Sequence, residues 1–144
     1  VLADVPGLIE GAHTGQGLGM RFLRHLTRTA ALVHLIDLSD PQDPLAAYDT
    51  INGELAAFDA ELAAKPQLVV ATKLDVTEAR ERFDEAKAAF AARGIELHGV
   101  SAATGDGMPA LMHAVLALAR RTRAQSISTE SAALDRDAAE MPAP

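Results

Sequence analysis

Apolar residues along the chain occur in two patterns, short continuous runs and longer stretches with helical spacing. The continuous runs are VLADV (1–5), ALVHLIDLS (31–39), QLVVATKLD (67–75) and IELHGVSA (95–102). Such runs predict strands that are buried on both faces of a sheet. The stretches in which apolar residues recur every three or four positions cover 18–26, 45–62, 80–90 and 106–119. This second spacing predicts amphipathic helices.

Polar residues and glycines predict several of the helix ends. Thr77 can cap the third helix, and Gly94 can end it. Thr104 or Asp106 can cap the last helix in the same way. The segment SDPQDP (39–44) is typical of a turn between a strand and the helix that follows it.

The alternation of strands and helices predicts an α/β domain with a parallel sheet. Ligands of such sheets bind at the carboxyl ends of the strands. The helical spacing stops near residue 124, and the rest of the chain is mainly Ser, Ala and acidic residues with two late prolines. We therefore predict one domain over 1–123 and a disordered tail over 124–144.

Composition and charge exclude several classes of function. The 144 residues suffice for one domain, and 49% of them are hydrophobic. Because cysteine is absent, the chain has no disulfide and no thiolate site, which fits a reducing, cytoplasmic setting. The formal net charge of -7 argues against a polybasic DNA-binding protein but allows a local basic patch. No apolar run approaches the ~20 residues of a membrane span, so we expect no membrane partner.

The first predicted strand ends in DVPG (4–7), which suits a site for a metal ion and a phosphate. The carboxylate of Asp4 can hold Mg²⁺ directly or through water, because this ion prefers oxygen ligands. Gly7 lets a backbone N–H approach a phosphate, since no Cβ is in the way. These four residues alone also fit an ordinary strand followed by a turn.

The third and fourth predicted strands end in TKLD (72–75) and SAA (101–103), which suit recognition of a base. The stem of Lys73 can lie over an aromatic ring, and Asp75 can accept two hydrogen bonds from the edge of guanine, an edge that adenine lacks. Backbone N–H groups near Ala102 can reach a base carbonyl. Two ordinary alternatives stay open at this point, a solvated Lys and Asp in a loop and a lead-in to the last helix.

In this order, the three motifs resemble those of the Obg family of translational-class GTPases. DVPG resembles the third GTPase motif of that family, TKLD the fourth and SAA the fifth. The segment 6–29 is more specific, since it is similar to the family's switch II loop and the helix after it. The resemblance covers residues 1 to about 122. It implies a partial P-loop NTPase fold of the Ras-like G-domain type, with three layers and a mostly parallel sheet that lacks its first strands.

The resemblance also implies roles for individual residues. Asp4 would contact Mg²⁺ through water, and the Gly7 N–H would sense the γ-phosphate. Lys73 would pack on the guanine plane, Asp75 would pair with its edge, and the Ala102 N–H would reach its carbonyl. The nucleotide-binding residues implied in this way are Asp4, Val5, Pro6, Gly7, Thr72, Lys73, Leu74, Asp75, Ser101, Ala102 and Ala103. The implied partners are GTP or GDP and the large ribosomal subunit, in whose assembly the family acts.

The chain departs from the family pattern in two places and from the pattern of Ras-like proteins in a third. Thr72 stands where the family usually has Asn, so one amide hydrogen bond is lost. Leu8 stands where Ras-like proteins have the Gln that orients the attacking water, although Leu8 is normal in Obg-like proteins. The chain contains no GxxxxGK[ST] motif and no first switch.

We therefore interpret the chain as the carboxyl-terminal part of a G domain, inactive as a GTPase by itself. The family's first strand lies between the strands that contain Asp4 and Asp37, so these two strands would face a gap. The alternative is a short module that binds guanine nucleotide or another protein without hydrolysis. His13, His25 and His34 lack the spacing of a metal site, and the predicted helix face formed by Arg21, Arg24 and Arg28 is typical of a solvated surface.

Overall fold

A three-stranded parallel sheet is the centre of the protein in a computed structural model, which describes residues 19–140. In chain order, the elements are α1 (Gly19–Leu26), β1 (Leu32–Asp37), α2 (Pro44–Phe58), α3 (Ala60–Ala63), β2 (Gln67–Thr72), α4 (Thr77–Ala92), β3 (Leu97–Gly99) and α5 (Met108–Glu140). The strands follow the order β1-β2-β3. The predicted α/β fold with a parallel sheet is confirmed. The predicted first strand, with Asp4, Val5, Pro6 and Gly7, lies outside the described residues.

The sheet has helices on both faces, as the continuous apolar strands predict. Val69 and Ala71 of β2 belong to a buried cluster with Phe90 of α4, and Tyr48 of α2 packs against the same cluster. Val70, between them in sequence, packs on the opposite face in a cluster with Leu111 of α5. The middle strand is therefore buried on both sides, which explains why it contains no polar alternation.

Helix α1 lies against α2 and α3 through a separate apolar cluster. Leu23 of α1 is fully buried between Leu55 and Leu62, with Leu26 and Phe58 packed around them. Strand β1 has no strand on its outer edge within residues 19–140, and its Leu35 is 61% exposed.

Two predicted helix caps are wrong, and one predicted helix end is confirmed. Helix α4 includes Thr77 as its first residue, and the cap position belongs to Val76, which makes no side-chain cap hydrogen bond. Helix α5 begins at Met108, directly after Gly107 rather than after Thr104 or Asp106. Gly94 ends α4 as predicted, with a left-handed φ of 75° and its N–H donating to the Ala91 carbonyl.

The predicted helix over 45–62 is two helices, because Asp59 interrupts it. Asp59 has extended backbone angles, and its carboxylate accepts a hydrogen bond from the Glu61 N–H, which starts α3. The apolar spacing continues through this break, so periodicity alone could not locate it.

The segment after residue 123, which was predicted as a disordered tail, is helical up to Glu140. Its composition explains the difference, since Ala, Leu, Gln, Glu and Arg favour helix and no proline occurs before Pro142. All residues from 123 to 139 are nevertheless exposed. The division of the chain near residue 123 therefore stays a prediction. Among residues 19–140, no helix combines the length and apolarity needed to cross a membrane.

Candidate functional site

The loops that follow the three strands meet at one edge of the sheet, because parallel strands end on the same side. Asp37, the last residue of β1, is paired in register with Thr72, the last residue of β2. The third loop joins them through backbone hydrogen bonds, with the Val100 N–H donating to the Ala71 carbonyl and the Leu74 N–H donating to the Val100 carbonyl. This edge contains every predicted site residue that the structure describes.

Lys73 occupies a left-handed backbone conformation at the tip of the loop after β2, with φ of 64°. For a residue other than glycine, this conformation costs about 1–2 kcal/mol. Two backbone hydrogen bonds stabilise this conformation. The Val76 N–H donates to the Lys73 carbonyl at 2.9 Å, and the Leu74 N–H donates to the Val100 carbonyl. As a result, the Lys73 side chain lies on the surface and is 57% exposed.

Leu74 anchors the same loop in the core. It is half-buried and packs against the apolar cluster between the sheet and α4. Gly99 makes this packing possible, because a Cβ at that position would lie 2.6 Å from both Leu74 Cδ1 and the ring of Phe83. Of the four residues in TKLD, Leu74 is therefore the one that packs the loop against the core.

Asp75 and Ser101, predicted from separate motifs, are in contact. The Ser101 hydroxyl donates to Asp75 Oδ1 at 2.8 Å, and the same oxygen of Ser101 accepts from the Thr104 N–H at 3.2 Å. Ser101 is buried, whereas Asp75 is exposed. The hydroxyl orients the carboxylate and leaves Asp75 Oδ2 without a hydrogen-bond donor among residues 19–140.

The loop after β3 is a tight turn that presents backbone N–H groups. The Ser101 N–H donates to the Asp106 carbonyl, and the Gly105 N–H donates to the Ser101 carbonyl. Ala102 and Ala103 lie exposed at the start of this turn, and their N–H groups have no acceptor within residues 19–140. They are available to an external carbonyl oxygen.

Thr72 uses its hydroxyl within the sheet. The hydroxyl donates to the Ile36 carbonyl of β1 at 3.3 Å, a long hydrogen bond across the sheet edge. Its proton is therefore directed to β1 and not to the loops that follow β2 and β3.

Asp37 is the polar residue of this edge that the motifs did not single out. Its Oδ2 lies 2.8 Å from Lys73 Nζ, and its Oδ1 accepts from the N–H and the hydroxyl of Ser39 at 2.8 and 2.6 Å. Burial alone would raise the pKa of Asp37, but the hydrogen bonds from Lys73 and Ser39 outweigh it and lower the pKa to about 2. The same contact raises the pKa of Lys73. In the sequence, the position of Asp37 at the end of a predicted strand was the feature that could have indicated it as a site residue.

No metal site is formed by the residues that the structure describes. Within 19–140, no group of three or more His, Asp or Glu side chains could hold a metal ion. The predicted magnesium ligand, Asp4, lies outside this range. His34 is half-buried, stacks on Tyr48 with ring centroids 5.3 Å apart and contacts Gln67, so it is a packing residue, as its isolated spacing indicates. Burial lowers the pKa of His34.

Comparisons with known proteins agree with these observations. Residues 1–73 match a family model described as 50S ribosome-binding GTPase. The chain is 50% identical to the GTPase Obg of Syntrophotalea carbinolica over 139 residues, which cover 95% of the chain and 39% of that relative. It is 49% identical to the GTPase Obg of Sorangium cellulosum over 124 residues and 52% identical to that of an Anaeromyxobacter species over 120 residues. These alignments cover 84% and 80% of the chain but 36% and 34% of the relatives.

Proposed function

Because the chain belongs to the family of 50S ribosome-binding GTPases, and within it to the Obg group, we propose that it supplies the guanine-recognition half of a GTP-hydrolysing enzyme. The chain spans less than two fifths of the length of these curated relatives. The activity is therefore proposed for the full-length protein.

The contact between Ser101 and Asp75 carries this proposal. A carboxylate that selects guanine must accept hydrogen bonds from the ring N–H and the exocyclic amino group together, which requires a fixed orientation. The 2.8 Å hydrogen bond from Ser101 supplies that orientation while Asp75 stays exposed. Each charge-assisted hydrogen bond to the base contributes roughly 1.5–3 kcal/mol. Adenine lacks the matching donors and leaves the carboxylate unpaired.

Two further groups complete the proposed base site. The Ala102 N–H, exposed beside Ser101, donates to the guanine carbonyl oxygen. The stem of Lys73 lies over the face of the base, which its outward position at the tip of the loop allows. Val5 and Pro6 stay predictions for the phosphate side, together with Asp4 and Gly7.

Mg²⁺ is proposed as the cofactor on the predicted role of Asp4. When bound, the ion would neutralise negative charge on the phosphate groups during hydrolysis. Since Leu8 cannot orient water, we propose that another group of the full-length protein positions the attacking water and that turnover is slow.

The proposed partner is the large ribosomal subunit, and the proposed setting is the cytoplasm. The description of the matching family and the resemblance of the switch II segment support this partner. Cosedimentation of the full-length protein with isolated large subunits, in the presence of GDP and of a non-hydrolysable GTP analogue, tests it.

Replacement of Asp75 by Asn in the full-length protein tests base recognition. Asn offers one acceptor and one donor, which matches xanthine, where a carbonyl replaces the amino group of guanine. We expect Asp75→Asn to lose affinity for GDP and to gain affinity for xanthosine diphosphate, both measured by calorimetry. Asp106→Asn is the matched control, because Asp106 is an exposed carboxylate at the same sheet edge. An unchanged preference for guanine would refute the role of Asp75.

A further inference from the structure

In the loop after β1, the carboxylate of Asp37 is paired with the ammonium group of Lys73. The motifs that predict base recognition do not include Asp37. Both carboxylate oxygens of Asp37 are used, Oδ1 by the N–H and hydroxyl of Ser39 and Oδ2 by Lys73. Ser39 thus fixes the orientation of the carboxylate, and the carboxylate fixes the end of the lysine. The ion pair lies at the surface, where such pairs contribute little to folding stability.

Arg82 of α4 holds the same loop from the other side. Its guanidinium donates to the carbonyl oxygens of Leu38 and Gln42 at 2.8 Å and also to that of Asp40. Leu38 is fully buried, and the Asp40 N–H donates to the Asp37 carbonyl. The backbone around Asp37 is therefore fixed by the core, by Arg82 and by its own turn.

The contact with Asp37 affects the conformational entropy that the Lys73 side chain loses on binding a ligand. A lysine side chain has several rotatable bonds, and ordering it costs conformational entropy. If the side chain is already held before the ligand binds, its conformational entropy is not lost on binding, and the affinity is higher. The 2.8 Å contact with Asp37 holds the Lys73 ammonium through a side chain of the protein itself.

We propose that Asp37 is a positioning residue that holds Lys73 ready to pack on the base, and that Arg82 fixes the loop that carries Asp37. The inference rests on the proposed function, since it assigns Lys73 to the nucleotide. Asp37 acts on affinity and not on the choice of base, because it contacts the lysine and not the edge-reading Asp75.

The test compares Asp37→Asn with Asp49→Asn in the full-length protein. Asp49 also pairs with a cation in an exposed ion pair, Arg93 at 2.9 Å, but it lies on α2 and pairs with the far end of α4. We expect Asp37→Asn to raise the Kd for GDP about three- to fivefold and to leave the ratio of guanine to xanthine affinities unchanged. Asp49→Asn should leave the Kd unchanged, while both variants should show similarly small changes in Tm.

A double-mutant cycle distinguishes positioning from a general structural effect. In a Lys73→Met background, Asp37→Asn should have no further effect on the Kd, since no ammonium is left to position. Arg82→Met should raise the Kd in the same direction, and Arg93→Met, its matched control, should not. Asp37→Glu, which retains the carboxylate, should recover part of the affinity.

The outcomes separate the two proposals. Suppose that Lys73→Met weakens GDP binding, whereas Asp37→Asn leaves the Kd unchanged or lowers it. The positioning role of Asp37 is then wrong, and the proposed base site is retained. If the effects of Asp37→Asn and Lys73→Met are additive, the positioning role is also wrong. If Lys73→Met leaves the Kd unchanged, the contact of Lys73 with the base fails, and the positioning role fails with it.

Discussion

Thr72 occupies a position where one side chain can connect the sheet to two loops. Its hydroxyl has a single proton, which goes to the Ile36 carbonyl at 3.3 Å. An amide at this position would offer two donors and one acceptor. It could keep the contact with β1 and add a hydrogen bond toward the loop at 101–103 or the nucleotide.

We predict that Thr72→Asn tightens GDP binding by the full-length protein. One added neutral hydrogen bond is worth about 0.5–1.5 kcal/mol, or roughly a two- to tenfold lower Kd. Calorimetric titration measures it. Thr129→Asn on α5 is the control, because the Thr129 hydroxyl donates to the Gln125 carbonyl of its own helix, far along the chain from the site. An equal or higher Kd for Thr72→Asn would show that the hydroxyl already suffices.

The sequence predicted which loops meet but not every side chain that supports them. Asp75 and Ser101 follow strands whose carboxyl ends must lie on one edge, so their proximity could be expected from topology. Asp37 and Arg82 were not predicted as site residues. Arg82 contacts main-chain carbonyls that lie 40 to 44 residues away, and carbonyl groups leave no pattern in an amino-acid sequence.

At the scale of elements, Lys65 contacts the main chain at the end of α1. The Lys65 ammonium, just before β2, donates to the carbonyls of Leu26 and Thr27 at 2.9 and 2.8 Å and also to that of Thr29. The last carbonyls of a helix lack partners within the helix, and a cation there also interacts favourably with the helix dipole. Burial lowers the pKa of Lys65, and the nearby Asp59 and Glu61 offset this lowering only in part.

We predict that Lys65→Met loosens α1 from the rest of the protein. Three carbonyls lose a charged donor, so the free energy of unfolding should fall by about 1.5–3 kcal/mol. Amide hydrogen exchange should become faster over 23–29, which urea denaturation combined with exchange measured by mass spectrometry would detect. Lys87→Met is the control, because Lys87 is an exposed lysine whose ammonium lies over the Phe83 ring, 5.9 Å from the ring centroid. Unchanged exchange over 23–29 would contradict the anchoring role.

The predicted elements were more accurate in type than in their ends. Continuous apolar runs located all three strands that the structure describes, because buried strands of a parallel sheet must be apolar on both faces. The ends depended on local hydrogen bonds. Asp59 breaks a helix whose apolar spacing continues, and Val76 precedes α4 without a side-chain cap.

At the scale of the whole molecule, α5 joins two segments with different packing. Its first half contributes Leu111 and Leu118 to the buried interior, and the last buried residue is Thr122. Beyond it, every side chain described up to residue 139 is exposed, including Ile127 and Leu134 at 59% and 70%. Secondary structure therefore continues past the point where tertiary packing stops. Helical residues without packed neighbours depend on local propensity alone, which is marginal in water.

Proline substitutions on either side of Thr122 would show where the cooperative unit ends. We predict that Ala117→Pro lowers the free energy of unfolding by about 3 kcal/mol or more, because it breaks the helix between packed turns. Ser128→Pro should reduce the helical circular dichroism signal but change the free energy of unfolding by less than about 0.5 kcal/mol and leave GDP affinity unchanged. Both residues are exposed, so neither substitution removes a core side chain. A comparable loss of stability in both variants, measured by urea denaturation of the full-length protein, would place the distal half of α5 inside the folded domain and move the boundary predicted at residue 123.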